Sequence, residues 1–108
     1  MRSSARLRNA ADFERVMGLG RRSRRDGLVV YAAPSEKPRV GFAIPRSAGN
    51  AVVRNRARRR LRALTAKHVG AGYDVAVRAE AGAVHADFQE LELHLTAALR
   101  ELGAGARR

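Results

Sequence analysis

The sequence predicts one α+β domain, a two-layer α/β sandwich with its elements in the order α-β-β-β-α-β-α. Three observations lead to this. The 108 residues suit a single domain and leave no room for a second. Short β-branched runs (Leu28–Ala33, Arg39–Arg46 and Tyr73–Ala79) alternate with stretches of helical periodicity. Apolar residues make up 45% of the chain, yet Trp is absent and aromatics are only 5%. The core must then be a thin one of Val, Leu, Ile and Ala, with strands covered by helices and no space for a large ligand cavity. The domain is expected to span residues 1–108, with about 1–8 and 104–108 as flexible ends.

Each element has its own signals. Asn9 reads as an N-cap with Asp12 in the first turn, and Ala10, Phe13, Val16 and Met17 fall at helical spacing before Gly18 and Gly20. The basic run 21–26 lies beside or within a short edge strand. Leu28–Ala33 is a strand, 34–38 a turn, and 39–46 a second strand with Val40, Phe42 and Ile44 on one face. These two strands are expected to pair as a hairpin. Pro45, which has no N–H to donate, belongs at a strand end or on an edge. After the loop 47–50, a long helix runs from about Ala51 to Val69 and is closed by Gly70 and Gly72. Tyr73–Ala79 reads as a buried strand. A last helix carries Phe88, Leu91, Leu95, Leu99 and Leu102 as its apolar stripe and stops at Gly103.

The charge balance narrows the function. Lys and Arg number 22 against 10 Asp and Glu, a formal charge of +12, and only Lys37 and Lys67 are lysine. Such self-repulsion points to a polyanionic partner. The absence of Cys excludes disulfides and Cys-based zinc sites. No apolar run approaches a membrane span, and the N-terminus has no apolar signal-peptide segment, so a cytoplasmic protein with no membrane role is expected. His68, His85 and His94 are scattered, His85-x-Asp87 reads as a helix cap with its neighbour, and no serine shows triad partners. No catalytic or metal-ligating constellation is visible.

The positive charge concentrates on one helix. At about 100° per residue, Val53, Ala57, Leu61, Leu64 and His68 share an arc that must face the sheet. Arg54, Arg58 and Arg62 stack on the opposite side, Asn55 and Arg59 extend that arc, and Arg56 and Arg60 flank the apolar stripe. Like charges at i, i+4 cost a few tenths of a kcal/mol per pair. No acidic residue between Glu36 and Asp74 offsets them. A solvated helix face usually mixes signs; a phosphate-binding face need not. Asn55 can both donate and accept, as a contact to a base edge or a 2′-hydroxyl requires.

The segment Gly49, Ala51, Val52, Arg54, Asn55, Arg56, followed by Arg58, Arg59 and Arg62, resembles the signature of the bacterial ribonuclease P protein family. Arg39–Phe42, Leu28–Tyr31, Tyr73–Val77 and the opening stretch with Arg6, Leu7, Arg8, Phe13, Val16 and Gly20 also resemble that family. The similarity covers about residues 6–102. It implies a protein subunit of ribonuclease P, an endoribonuclease that removes the 5′ leader of precursor tRNA, with the chemistry carried by a separate catalytic RNA and its Mg²⁺. It also implies a left-handed β-α-β crossover, against the usual right-handed rule.

Carried over by position, Arg54, Asn55, Arg56, Arg58, Arg59 and Arg62 would contact the catalytic RNA. Phe13, Met17 and Tyr31, with Arg46 nearby, would line a cleft for the single-stranded leader. Met17 stands where the family often has an aromatic. Phe13 and Met17 suit a core role equally well, whereas Tyr31 is expected to be exposed because its hydroxyl seeks water or a partner. The partners implied are the catalytic RNA and precursor tRNA, with no obligate protein partner. The main alternative is a non-catalytic ribosomal or rRNA-assembly protein, and a DNA-binding protein comes third.

Overall fold

The computed structural model describes residues 5–6, 10–36 and 38–106. Asn9, the expected N-cap of the first helix, and Leu7 and Arg8 lie outside the described residues. The elements are β1 (Ala5–Arg6), α1 (Ala10–Leu19), β2 (Arg21–Arg25), β3 (Leu28–Pro34), β4 (Arg39–Ala43), a 3₁₀ turn (Arg46–Ala48), α2 (Ala51–His68), β5 (Tyr73–Ala79), a short α3 (Ala81–Val84) and α4 (Phe88–Leu102). The α+β class and the α-β-β-β-α-β-α order are as expected. The structure adds β1, which pairs in parallel with Arg39 and Val40 of β4 inside the stretch expected to be loose, and α3, in the connection before the last helix.

The sheet has five strands in the order β1-β4-β5-β3-β2. The expected hairpin between Leu28–Ala33 and the following strand does not form. β5 lies between β3 and β4, antiparallel to the first and parallel to the second. Alternating polarity tells a strand which face to bury but not which neighbour to pair with. β5, almost wholly buried, takes the central position, where both its edges find hydrogen-bond partners. The hairpin that does form joins β2 to β3 through Asp26 and Gly27, both at positive φ (43° and 83°). That is the primed two-residue turn, whose twist matches the flanking strands. The parallel β4–β5 pair is closed through α2, a β-α-β crossover.

One face of the sheet carries the main core. Leu28, Val30 and Ala32 of β3 and Val75, Val77 and Ala79 of β5 meet Ala57, Leu61 and Leu64 of α2 and Leu91, Leu95, Ala98, Leu99 and Leu102 of α4. Phe88, expected in the α4 stripe, shares its angle with that stripe but stays 39% exposed at the first position of the helix. The sandwich also has an occupied second face: α1 covers part of it through a smaller cluster of Val16, Val29, Tyr31, Ala33 and Ala76, joined by Phe13 and Met17. The chain after α4 is not loose as far as Ala106. Gly70 N donates to the Ala104 carbonyl at 2.7 Å, Ala106 N donates to the His68 carbonyl at 2.7 Å, and Ala104 is fully buried.

Candidate nucleic-acid interface

α2 is set by signals within its own sequence. Asn50 is its N-cap, the side-chain oxygen accepting from Val53 N at 2.9 Å. Pro45 stands two residues beyond the end of β4 and caps the 3₁₀ turn. Ala57, Leu61, Leu64 and Thr65 are buried and Val53 packs against the core, so the face opposite must look outward. Eighteen residues make α2 about 27 Å long. Along it Asn55, Arg59 and Arg62 are exposed, and Arg54, Arg56, Arg58 and Arg60 are half-buried at the flanks.

Local bonds hold several of these side chains. Arg54 Nε donates to the Gly49 carbonyl at 3.0 Å, and Arg60 donates to the Ala86 carbonyl at 3.3 Å. Arg58 reaches Asn55 Oδ1 at 3.4 Å. The buried Nε of Arg56 has no hydrogen-bond partner among the described residues.

The distribution of counter-charge sets this helix apart. Among the described residues the acidic groups pair elsewhere: Asp74 with Arg15 and Arg39, Asp12 with Arg39, Glu80 with Arg24 and Arg78, Glu101 with Arg25, Asp26 with His94, and Glu92 with Lys67 and His68. None of these ion pairs involves an arginine between 54 and 62. Six guanidinium groups therefore crowd along two and a half turns with no carboxylate to neutralise them. This is the arrangement a polyanion stabilises.

The second face of the sheet brings together Phe13 and Met17, both half-buried, with Tyr31. Tyr31 is only 9% exposed, contrary to the expectation from its hydroxyl, because α1 lies over its ring. Arg46 is exposed on the 3₁₀ turn beyond the end of β4. Sequence reasoning missed other basic residues here. Arg22 pairs in register with Tyr31, and Arg24 and Arg78 both pair with Val29. Residues paired across strands share a face, so these three lie on the α1 side. The alternation in Arg21–Arg25, with Ser23 buried on the other face, was the available signal. Asp74 was missed too. It is fully buried, and its pairing with residues 35 and 59 positions away leaves no trace in local sequence.

The fold and the ridge define a basic α+β sandwich whose unneutralised charge is gathered on one helix. The Ribonuclease P family model matches residues 1–103. A ribonuclease P protein component from Streptomyces avermitilis is 43% identical, covering 94% of this chain and 95% of its own length. One from Paramagnetospirillum magneticum is 39% identical, covering 92% and 83%. The structure of the Staphylococcus aureus RNase P protein superposes with a TM-score of 0.79 at 25% identity, covering 92% of this chain and 95% of that one. The Thermotoga maritima RNase P protein shares the fold, with a TM-score of 0.74 at 24% identity. The chain belongs to the ribonuclease P protein family and is a protein component of ribonuclease P, an agent of tRNA processing.

Proposed function

We propose that this chain is the RNA-binding subunit of ribonuclease P, gripping the catalytic RNA through α2 and holding the 5′ leader of precursor tRNA against the α1 face of the sheet. One observation carries the reading: the arginines between 54 and 62 have no carboxylate partner among the described residues, while acidic groups elsewhere neutralise cations. Arg54, Arg56, Arg58, Arg59 and Arg62 place guanidinium forks toward phosphates, and Asn55 supplies a donor and an acceptor between them. Each neutralised phosphate releases counterions and lets two polyanions approach one another.

On the other face, Phe13 and Met17 offer half-buried apolar surface to an unpaired base, with Tyr31 beneath them and Arg22, in register with Tyr31, as a cation at the margin. Stacking is worth about 1–3 kcal/mol per base and tolerates any base. That suits a subunit that must accept many leaders. Among the described residues no three His, Asp or Glu side chains cluster as a metal site requires. On this reading the Mg²⁺ and the hydrolytic step belong to the RNA subunit, and this chain supplies affinity and alignment. The setting is the cytoplasm. No helix among the described residues is long and apolar enough to cross a membrane.

Mixing the purified protein with the catalytic RNA of its own organism at low Mg²⁺ should stimulate cleavage of precursor tRNA at the leader junction. A ribosomal or rRNA-assembly protein would give no stimulation. Cleavage by the protein without the RNA would move the active site into this chain and overturn the proposal.

A further inference from the structure

Among the described side chains, α1 sets fewer into the core than the two other long helices. Val16 is its one fully buried side chain among the described residues, with Phe13 and Met17 half-buried beside it. α2 buries four residues and α4 five. A helix of ten residues with so little apolar contact needs other fixings to hold one angle over the sheet.

The structure provides one at each end. At the C-terminal end, Gly20 N donates to the Val16 carbonyl at 2.8 Å. The same glycine lies so close to β3 that a Cβ would sit 2.6 Å from the Ala32 carbonyl oxygen. Toward the N-terminal end, the fixing is ionic and centres on Asp74. Its Oδ2 accepts from Arg15 of α1 at 2.9 Å and from the Arg39 guanidinium at 3.4 Å, and its Oδ1 accepts from Arg39 N at 2.9 Å. Arg39 also donates to Asp12 of α1 at 2.9 Å. The Asp74 side chain is wholly buried, whereas Arg15 is 43% exposed.

We infer that Asp74 is a positioning residue for the RNA leader. From the sheet it fixes the angle of α1, and so the width of the groove in which Phe13 and Met17 meet an unpaired base. The inference rests on the reading of the α1 face as the leader site. The charges of Asp12, Asp74, Arg15 and Arg39 cancel, so the network contributes no net attraction for phosphate. Its work is geometric. This separates it from the α2 ridge, where the cations are unneutralised and the contact is direct.

The two modes of action give opposite signs for one substitution. Asp74→Asn raises the net positive charge by one. If charge alone governed leader binding, the variant would hold a precursor more tightly. If Asp74 positions α1, the variant holds it more weakly.

The test uses holoenzyme reconstituted with the catalytic RNA. It compares KM and kcat for a precursor with a long leader and for one with a single-nucleotide leader. The wild-type protein should favour the long leader. Asp74→Asn and Arg15→Gln should each reduce that preference about five- to ten-fold, the low end for one stacked base. The loss should appear in KM, with the single-nucleotide substrate and binding of the catalytic RNA unchanged.

Arg15→Gln removes only the half-exposed α1 partner and leaves Asp74 bound to Arg39, so it decides the matter if Asp74→Asn fails to fold. Its salt dependence for the long-leader substrate should parallel that of the wild type. A slope flatter by about 0.7 would mark Arg15 as a direct phosphate contact and overturn the inference. Tighter binding by Asp74→Asn would do the same, as would retention of the leader preference by both variants. A wild-type protein that shows no leader preference would remove the leader site itself, and this inference with it.

Discussion

Replacing Arg54, Arg58 and Arg62 together by Ala tests the ridge at its centre. The three side chains lie at i, i+4 and i+8 on α2, and none pairs with a carboxylate among the described residues. Their removal relieves two like-charge pairs, each worth a few tenths of a kcal/mol. It gives up the Arg54 bond to the Gly49 carbonyl, worth about 1 kcal/mol. The variant should therefore fold with near wild-type stability, as circular dichroism melting would show.

Its binding to the catalytic RNA should change in a defined way. Each lost phosphate contact flattens the plot of log affinity against log salt by about 0.7–0.9, so three contacts flatten it by about 2–2.7. Across a four-fold rise in monovalent salt, from about 50 to 200 mM, the advantage of wild type over variant should shrink about 20- to 40-fold. Fluorescence anisotropy titrations with labelled RNA at several salt concentrations measure both slopes. Parallel slopes from a folded variant would mean that these arginines meet only solvent, and the RNA interface would have to lie elsewhere.

Other expectations concern the scaffold. Leu61→Ala empties a fully buried position between α2 and the sheet and should cost about 2–5 kcal/mol in urea unfolding. Gly20→Ala places a methyl group 2.6 Å from the carbonyl oxygens of Ala32 and Val16. It should destabilise the protein by about 1–3 kcal/mol, with hydrogen exchange quickening first in α1. The acid limb of stability should depend on Glu92 and Glu101. Hydrogen bonding from His68 and the charge of Lys67 hold the Glu92 carboxyl below its ordinary range, and hydrogen bonds from Ser23 and Arg25 do the same for Glu101. A carboxyl depressed in the folded state stabilises the protein above its unfolded pKa, and that contribution is lost as pH falls through the folded value. The midpoint of thermal unfolding should therefore drop as pH falls below the ordinary glutamate range near ~4.3, and less steeply in Glu92→Gln.

Much of the local structure was legible in the sequence. Asp87, read from the sequence as a helix cap, is the N-cap of α4 in a full capping box with Glu90, a signal confined to four residues. The sheet-facing arc of α2 follows from helical spacing because that spacing is a property of the helix and needs no partner. The ridge was legible for the same reason: an uninterrupted run of like charge keeps its meaning wherever the helix docks.

The pairing of strands was not legible. β3 and β4 are joined by a short loop, β3 a continuous apolar run and β4 an alternating one, yet they lie on either side of β5, which follows only after the whole of α2. Nor could Tyr31 be placed, since its burial depends on α1 lying across it, nor the segment 104–106, which is fastened to backbone groups of His68 and Gly70.

The sequence by itself determined which segments are helix or strand, which faces they bury, and that an unneutralised row of arginines crosses the surface of α2. Periodicity, capping and charge act over a few residues and are written in order along the chain. Only the tertiary structure decided that β5 divides β3 from β4, that Arg22 lies beside Tyr31 on the α1 face, and that Asp74 ties α1 to the sheet. Those outcomes rest on backbone and side-chain partners brought together from distant parts of the chain, and hydrogen-bond and ion-pair complementarity of that kind has no signature until the chain is folded.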